Sequence, residues 1–334
     1  MCNLLLNKCK SIFKRGYLRT ILRLVISVSL ITFLLTTANL GELWDTLKTA
    51  SILYLIIALL LLFCRVFISA YRWQIMLSPK GMHVPLFSLT CFYLVGNFFN
   101  MFLPTVLGGD VMRGYELARF SCNAVDSAAT VLMERILGFF ALFLICWISL
   151  IFGFRILEGT NILLIVGGVS VGFILVMALL FNTRLTARIL SLTGSIKRWN
   201  VEGTLKETYR SIRAFTASKK VLLNAFVMSL LCQFLVIVST FFISQSLGLG
   251  VPFVYFFIAM PIIWVIMMLP ISISGLGVRE GAFVLFFTQQ GVSTEDALLL
   301  SLLFFALTVI LALVGGLVFA WGGYRRKGLQ AEKE

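Results

Sequence analysis

The chain has 334 residues, of which 60% are hydrophobic and only 13% are charged, and its net charge is +14. Soluble globular domains are roughly half apolar and a quarter charged, so this composition excludes a separate soluble enzyme domain and indicates a polytopic membrane protein. The basic residues flank apolar runs, where they act as topology signals and contacts to anionic headgroups, so no nucleic-acid partner is expected.

Six apolar segments are long enough to cross a bilayer core of about 30 Å. These predicted spans are 20–39, 50–70, 127–152, 161–181, 220–246 and 297–322. Two further apolar segments, 84–103 and 252–270, end in Pro- and Gly-containing motifs. We therefore expect an all-α polytopic fold in which 1–334 form a single integral membrane domain.

The distribution of Lys and Arg orients these spans, because cytoplasmic segments are the more basic. Residues 1–23 hold six Lys/Arg and no acid, and residues 182–220 hold nine against two acids. The basic N-terminus 1–19, the linker 182–219 and the tail 323–334 are therefore predicted to be cytoplasmic. No small-residue cleavage site follows the N-terminus, so the first span is expected to be retained.

The linker 182–219 carries an amphipathic pattern in its second half. Leu205, Tyr209, Ile212 and Phe215 recur at helical spacing, with basic residues on the other faces. This pattern is typical of a helix that lies on the inner membrane surface. For the first half of the linker, a solvated basic loop is an equal alternative.

Two motifs half a chain apart repeat each other. Residues 103–114 read LPTVLGGDVMRG, and residues 269–281 read LPISISGLGVREG. An offset of 166 positions aligns Leu103 with Leu269, Pro104 with Pro270, Gly109 with Gly275 and Arg113 with Arg279. Paired Gly/Pro interruptions of apolar segments in two matching halves point to the binding site of a transporter.

Counting spans between the cytoplasmic segments fixes the direction of each motif. Segment 84–120 is predicted to enter and leave on the cytoplasmic face, and segment 252–291 on the outer face. The sequence therefore predicts two oppositely oriented re-entrant hairpins that form a pseudo-two-fold inverted repeat.

The breaks also predict where an anion binds. Non-helical backbone is tolerated inside a membrane only when it is buried in protein or faces water, so a polar cavity is expected. Each break leads into a helix N-terminus that favours an anion, and Arg grips phosphate with two parallel hydrogen bonds. The predicted phosphate ligands are Arg113 and Arg279, supported by the loop glycines Gly108, Gly109, Gly275 and Gly277.

Three acids lie close to these arginines, namely Asp110, Glu116 and Glu280. One interpretation pairs Asp110 with Arg113, and Arg279 with Glu280 or another acid, as structural ion pairs. Because intramembrane charge is costly, a functional role is the default hypothesis. The two roles are compatible if the pairs close the cavity until a lipid competes for the arginine.

Further polar residues surround the first motif. Glu134 and Arg135 lie in span 127–152 and point about 100° apart, so they need not pair with each other. We expect them to face the bundle and meet Arg113 or Asp110, with snorkelling to the interface as the alternative. Asn97 and Asn100 are candidates for binding the loop backbone or a headgroup.

Residues at the inner end of the second span are interpreted differently. Arg65, Arg72 and Trp73 are expected to anchor this span at the membrane boundary rather than to bind a ligand. The lone His83 has no ligand cluster around it, the seven cysteines show no metal spacing, and no Walker A pattern occurs. No metal, cofactor or direct use of ATP is expected.

Three segments carry a resemblance to a known family. They are GNFFNMFLPTVLGGDVMRGYELAR at 96–119, VLMERILGF at 131–139 and LPISISGLGVREGAF at 269–283. The chain resembles the lysylphosphatidylglycerol synthase transmembrane region family, also called the flippase-like domain, over essentially its whole length. In multiple peptide resistance factors this domain moves aminoacylated phosphatidylglycerol between leaflets, whereas a further C-terminal domain makes that lipid. We do not expect aminoacyl transfer here, because the chain has no room for the synthase domain.

The resemblance implies a lipid flippase-like transporter in a bacterial or archaeal cytoplasmic membrane, with both termini cytoplasmic. Its expected substrate is a phospholipid or a polyprenyl-phosphate-linked lipid. The alternatives are an intramembrane enzyme acting on a lipid-linked substrate and a non-catalytic membrane partner of a glycosyltransferase. Gly315, Gly316, Gly322 and Gly323 are suited to close helix packing or to a homodimer.

Overall fold

A computed structural model describes most of the chain's apolar segments. The described residues are 40–102, 108–121, 123–153, 167–168, 170–175, 218–267 and 275–322. Within them every regular element is helical and no strand occurs, which confirms the predicted all-α class. The predicted N-terminus 1–19, nearly all of the linker 182–219 and the tail 323–334 lie outside the described residues.

The described helices follow one another with short connections. In chain order they are α1 (Leu40–Thr49), α2 (Ile52–Leu77), α3 (Leu86–Phe102), α4 (Gly108–Ser121), α5 (Ala124–Gly153), α6 (Lys219–Ser246), α7 (Phe253–Met267), α8 (Val278–Phe287) and α9 (Thr294–Trp321). Short 3₁₀ turns, Ser78–Lys80 and Thr288–Gln290, extend α2 and α8.

Four of these helices are long and apolar enough to cross a membrane. The candidate spans are Ile52–Lys80, Val125–Phe152, Lys219–Ser246 and Thr294–Trp321. They match four of the six predicted spans. The predicted span 20–39 lies outside the described residues, as does most of 161–181, so the total of six spans stays a prediction.

The order of helices repeats at the offset found in the sequence. Adding 166 to the bounds of α2, α3, α4 and α5 gives 218–243, 252–268, 274–287 and 290–319. These intervals fall on α6, α7, α8 and α9, respectively. The two halves of the described chain therefore have the same order of long helix, shorter helix, short helix with the motif arginine, and long helix.

The first helices of the two halves, α2 and α6, pack against each other in opposite directions. The backbone N–H of Ser51, just before α2, donates to the carbonyl of Ser246, the last residue of α6, at 2.8 Å. Near the other end, Arg72 Nη1 donates to Ser229 Oγ at 2.8 Å. The α2–α6 interface is thus a seam between the two halves.

The segment α3–α4 begins and ends at one end of this bundle. Val84, just before α3, accepts a hydrogen bond at its carbonyl from Gln74 Nε2 near the C-terminus of α2. Ser121 Oγ, at the end of α4, lies 3.2 Å from Ser127 Oγ in the first turn of α5. Lys80 pairs with Asp126 at 2.8 Å and joins the same two helix ends.

The segment α7–α8 begins and ends at the other end of the bundle. Ser149 Oγ, near the C-terminus of α5, donates to the carbonyl of Phe257 in the first turns of α7. Tyr255 Oη in turn donates to the carbonyl of Phe286 at the end of α8, at 2.5 Å. The loops where the two segments turn, 103–107 and 268–274, lie outside the described residues, so the re-entrant hairpins stay predictions.

Helices α3 and α9 approach each other at glycines. A Cβ on Gly315 would lie 1.9 Å from the carbonyl oxygen of Leu94, and one on Gly316 would lie 2.8 Å from the Phe98 ring. Both glycines therefore serve packing within the chain. The proposal of a homodimer gains no support from this pair.

The core and the outer surface are both apolar, as a membrane-embedded bundle requires. Phe256, Phe283 and Phe287 are fully buried between α6, α7 and α8, and their rings contact one another. On the outside, large aliphatic side chains such as Ile52 and Leu317 are more than two-thirds exposed, at 74% and 71%. Such a surface is stable in contact with lipid rather than water.

Candidate anion-binding site

A chain of alternating charges crosses α2, α5 and α4. Glu134 accepts from Arg72 Nη2 at 2.5 Å through Oε1 and from Arg113 Nη1 at 3.1 Å through Oε2. Asp110 accepts from Arg113 Nη2 at 2.6 Å and, through its other oxygen, from Arg135 Nε. We call these five residues the first charge cluster. It holds three cations and two anions.

Local helix geometry explains these pairings. Asp110 and Arg113 are three residues apart on α4 and therefore lie on one face. Glu134 and Arg135 are adjacent on α5 and point in different directions, so each meets a different partner. The sequence predicted the Asp110–Arg113 pair and the inward direction of Glu134.

The cluster is enclosed by protein. The relative exposure of Glu134 is 2%, that of Arg113 is 6%, and those of Asp110 and Arg72 are 8% each. The Arg135 side chain is the most exposed member, at 27%. The described conformation thus encloses the charges in protein, apart from the edge at Arg135.

Aromatic and hydroxyl groups pack around the first charge cluster. The Arg113 guanidinium lies 4.2 Å from the ring centre of Tyr93 and 5.5 Å from that of Trp73. Tyr93 Oη also accepts from Arg72 Nη2 at 3.3 Å, and Trp73 Nε1 donates to Thr130 Oγ1 at 3.2 Å. Cation–π contacts of this kind are worth more when they are desolvated, as here.

Arg72 belongs to the first charge cluster. The expectation that Arg65, Arg72 and Trp73 anchor α2 at the membrane boundary is wrong, because Arg65 lies in the middle of α2, Trp73 is fully buried and Arg72 bonds to three helices. Among the described residues the Arg72 Nε atom, which is buried, has no hydrogen-bond partner. A buried donor without an acceptor is costly in a protein. A ligand that brings an oxygen atom to this position would satisfy the donor.

The first motif is held by a close approach of α3 and α4. A Cβ on Gly109 would lie 2.0 Å from the carbonyl oxygen of Gly96, so only glycine fits there. The Gly109 N–H donates to Asn100 Oδ1 at 2.8 Å, which means that Asn100 binds the start of α4. Gly108 is buried beside Gly109, and Asn97 is half-buried on α3.

Glu116 lies on α4 one turn after Arg113 and is 3% exposed. It is the second buried acid of this helix, after Asp110. The first motif thus brings together Asp110, Arg113 and Glu116 on one short helix packed against α3 and α5.

The second motif forms a separate group of contacts, here called the second charge cluster. Arg279 Nη2 donates to Glu280 Oε1, and Arg279 Nε donates to Ser301 Oγ at 3.2 Å. The Arg279 guanidinium lies 4.5 Å from the ring centre of Phe305 on α9. Arg113 and Arg279 have no hydrogen-bond partner in common among the described residues.

The N-terminus of α8 is occupied by its own acid. Glu280 Oε2 accepts from the Gly277 N–H at 2.6 Å, so the carboxylate satisfies the first turn and opposes the positive end of the helix. Gly275 and Gly277 have φ angles of 76° and 82°, which favour glycine. Because both Glu280 oxygens are bonded, the second charge cluster is a closed and neutral pair.

An apolar groove lies on the membrane-facing side of α2 and α3. Its volume is about 430 Å³, and it is lined by Phe63, Cys64, Val66, Phe67, Ile68, Thr90 and Leu94. It contains no charged lining residue and is separate from the first charge cluster. A groove of this composition suits a hydrocarbon chain rather than a headgroup.

The described residues contain no group of three His, Cys, Asp or Glu side chains placed to hold a metal ion. Cys64, Cys91, Cys146 and Cys232, the cysteines of the described ranges, are free thiols.

Spanning helices around a buried charge cluster define a multi-pass membrane protein with an intramembrane polar site. The family described as "Lysylphosphatidylglycerol synthase TM region" matches residues 20–316, and the chain belongs to this family.

Two archaeal relatives match most of the chain. A UPF0104 membrane protein of Methanothermobacter thermautotrophicus is 26% identical over 288 residues, which cover 81% of this chain and 85% of the relative. A UPF0104 membrane protein of Pyrococcus horikoshii is 23% identical over 303 residues, which cover 84% of this chain and 89% of the relative.

Proposed function

We propose that the protein moves a phosphate-bearing lipid between the two leaflets of the membrane, as a transporter rather than an enzyme. The lipid is a phospholipid or a polyprenyl-phosphate-linked lipid. Its headgroup binds at the first charge cluster while its hydrocarbon chains stay in the bilayer. The observation that carries this proposal is the buried bridge in which Glu134 joins Arg72 to Arg113.

The bridge resembles the way in which a phosphate group is bound. Two guanidinium groups converge on the two oxygens of one carboxylate, and a phosphate offers the same arrangement with one more oxygen. The extra oxygen has a donor available in the Arg72 Nε atom, which has no partner among the described residues. Glu134 therefore acts as an internal anion that an incoming lipid phosphate replaces.

Replacement of Glu134 would also loosen the bundle. The same carboxylate connects α2 and α4 to α5, so its release removes one ion pair between α2 and α5 and one between α4 and α5. In this mechanism binding of the headgroup is coupled to opening of the site, and each lipid that leaves lets the bridge form again. Binding can shift such an equilibrium only as far as the lipid prefers the open state.

The second charge cluster has a supporting role in this proposal. Arg279 is neutralised by Glu280, and Glu280 also caps α8, so neither side chain is free in the described conformation. The pair fixes α8 to α9 through Ser301. The headgroup site therefore belongs to the first half, and the second half provides the body against which the first half moves.

Family membership supports a lipid ligand, because the family is described by the membrane region of an enzyme named for a lipid product. We place the protein in the cytoplasmic membrane of an archaeon or bacterium, with both termini in the cytoplasm, on the charge bias of its sequence. A glycosyltransferase partner is compatible with a polyprenyl-phosphate substrate.

The test is lipid movement in liposomes that contain the purified protein. The probe is phosphatidylglycerol labelled on its headgroup with a fluorophore that a membrane-impermeant reductant quenches only in the outer leaflet. We expect wild type to move the probe and Arg113→Gln to slow it by at least about tenfold, because a buried charge partner is lost. Arg119→Gln is the matched control, since Arg119 is an exposed arginine on the same helix.

Two further results decide the proposal. Competition by an unlabelled polyprenyl phosphate would show that the site takes lipid phosphates of both kinds, whereas competition by phospholipid alone would restrict the substrate. Absence of movement for wild type with every lipid would refute transport and favour an enzyme or a partner protein. Movement by a folded Arg113→Gln protein at the wild-type rate would refute the first charge cluster as the headgroup site.

A further inference from the structure

Arg65 is a cation in the middle of a spanning helix. It lies 13 residues after Ile52 and 12 before Leu77, which are the first and last residues of α2. At 1.5 Å per residue it is about 18 Å along the helix from Leu77, against about 7.5 Å for Arg72. A charged side chain in the middle of a spanning helix is energetically costly, so a functional role is the default hypothesis for it.

The side chain of Arg65 has no ion pair or hydrogen bond with any of the residues described here. It is half-buried. It lies about two turns of α2 from Arg72, a member of the first charge cluster. Together with the first charge cluster and Glu116, it brings the local count to four cations against three acids.

Arg65 and Arg72 lie on the same face of α2, because seven residues make almost two full turns. Between them stand three small polar side chains at the interface with α6, which we call the polar seam: Ser69, Ser229 and Cys232. Ser69 Oγ lies 3.3 Å from Cys232 Sγ, and Cys232 Sγ is 3.9 Å from the Arg65 carbonyl oxygen. The seam therefore connects the two arginines along the boundary between the halves.

We propose that Arg65 is a second station for the lipid phosphate, which reaches it from the first charge cluster along the polar seam between α2 and α6. This inference rests on the proposed function. A phosphate that leaves Arg72 and Arg113 must cross the centre of the membrane, where it needs a compensating cation. Arg65 lies about 10.5 Å from Arg72 along α2. The two long arginine side chains and a mobile headgroup can bridge this distance.

The location of the seam suits this role. Helices α2 and α6 are equivalent members of the two halves and run in opposite directions. Relative motion of the halves would change the α2–α6 interface, because this interface joins them. Small hydroxyl and thiol groups there give the headgroup hydrogen-bond partners without obstructing it.

The test separates binding from movement. Arg65→Gln, Arg65→Lys and Arg119→Gln are compared with wild type in liposomes with headgroup-labelled phosphatidylglycerol. Binding is measured separately, from the thermal stabilisation of the detergent-solubilised protein by dihexanoyl phosphatidylglycerol. We expect Arg65→Gln to bind the short-chain lipid within about twofold of wild type but to move the labelled lipid at least about tenfold more slowly, and Arg65→Lys to keep most of the rate.

Several outcomes would overturn the proposal while leaving the proposed function in place. One is a folded Arg65→Gln protein that moves lipid at the wild-type rate while Arg113→Gln does not. Another is a parallel loss of binding and movement, which would make Arg65 part of the first site. Equal loss in Arg65→Lys and Arg65→Gln would show that shape rather than charge matters. If wild type moves no lipid, both proposals fail together.

A second measurement applies even if Arg65→Gln does not fold. Arg65→Cys is introduced into a chain whose seven native cysteines are replaced, and is treated with a negatively charged methanethiosulfonate in liposomes. We expect modification, slowed by phosphatidylglycerol, because the route admits anions. An unmodified thiol would refute the second station.

Discussion

Glu134 accepts a hydrogen bond from Arg72 at 2.5 Å, and this contact joins α5 to α2 inside an otherwise apolar bundle. The two residues are 62 positions apart in the chain, and both are buried. A buried ion pair gains little net stability over apolar packing, but removal of one partner leaves a costly unpaired charge. Stability alone therefore does not explain the pair, which is consistent with the exchange against a lipid phosphate proposed above.

Glu134→Gln should increase the affinity for anionic lipid. The substitution removes the internal anion, so Arg72 loses its carboxylate partner and Arg113 keeps only Asp110. The free protein should therefore have a lower melting temperature. Added dihexanoyl phosphatidylglycerol should restore more thermal stability to the variant than it adds to wild type, because ligand binding stabilises the folded state. Thermal unfolding in detergent across a lipid titration measures both effects.

The matched control for this variant is Glu295→Gln, which makes the same chemical change in the first turn of α9. It should respond to lipid as wild type does. Equal or weaker lipid stabilisation of Glu134→Gln would show that Glu134 does not compete with the phosphate.

Gly315→Ala should destabilise the protein, because α3 and α9 would have to separate. The new Cβ would lie 1.9 Å from the Leu94 carbonyl oxygen, which belongs to rigid helix backbone. Overpacking of this kind costs about 1–3 kcal/mol. Gly281→Ala is the control, since a Cβ there meets nothing within 4 Å. A melting temperature of Gly315→Ala equal to that of Gly281→Ala would contradict the close approach of these helices.

Local sequence patterns predicted the helices and several charged contacts. Hydrophobic length located the four candidate spans, and short spacing suggested the Asp110–Arg113 and Arg279–Glu280 pairs, which the structure contains. Helical geometry also separated Glu134 from Arg135. These inferences depend on residues at most a few positions apart, where periodicity is informative.

Arg72 shows why the rest of the site was not predictable. The predicted second span, 50–70, stops seven residues before Leu77, the last residue of α2. The partners of Arg72 are 21, 62 and 157 positions away, at Tyr93, Glu134 and Ser229. No local pattern reports contacts at such separations. The apolar residues Trp73, Met76 and Leu77, at helical spacing, were the available signal that the helix continues inward.

Removal of both charges from the second charge cluster should leave lipid binding intact. Arg279→Gln combined with Glu280→Gln removes one charge of each sign, and the glutamine at 280 keeps a carbonyl oxygen for the Gly277 N–H. We expect a modest loss of thermal stability, and lipid stabilisation within about twofold of wild type, because the headgroup site lies elsewhere. The lipid titration used for Glu134→Gln provides the measurement, with Arg113→Gln as the variant that loses binding. Loss of lipid binding in the double variant would show that Arg279 is part of the headgroup site, as the sequence predicts.

The opposite orientation of the two motifs can be tested at two exposed positions. His83 lies in the connection before α3, and Gln290 lies just after α8. In a chain without its native cysteines, His83→Cys should react with an impermeant maleimide only after the cells are permeabilised, whereas Gln290→Cys should react in intact cells. The cysteine-free parent is the control. Labelling of both cysteines from the same side would refute the inverted arrangement. If each cysteine is instead labelled from the side predicted for the other, the inverted arrangement stands and the predicted cytoplasmic face is reversed, because only the charge bias sets that face.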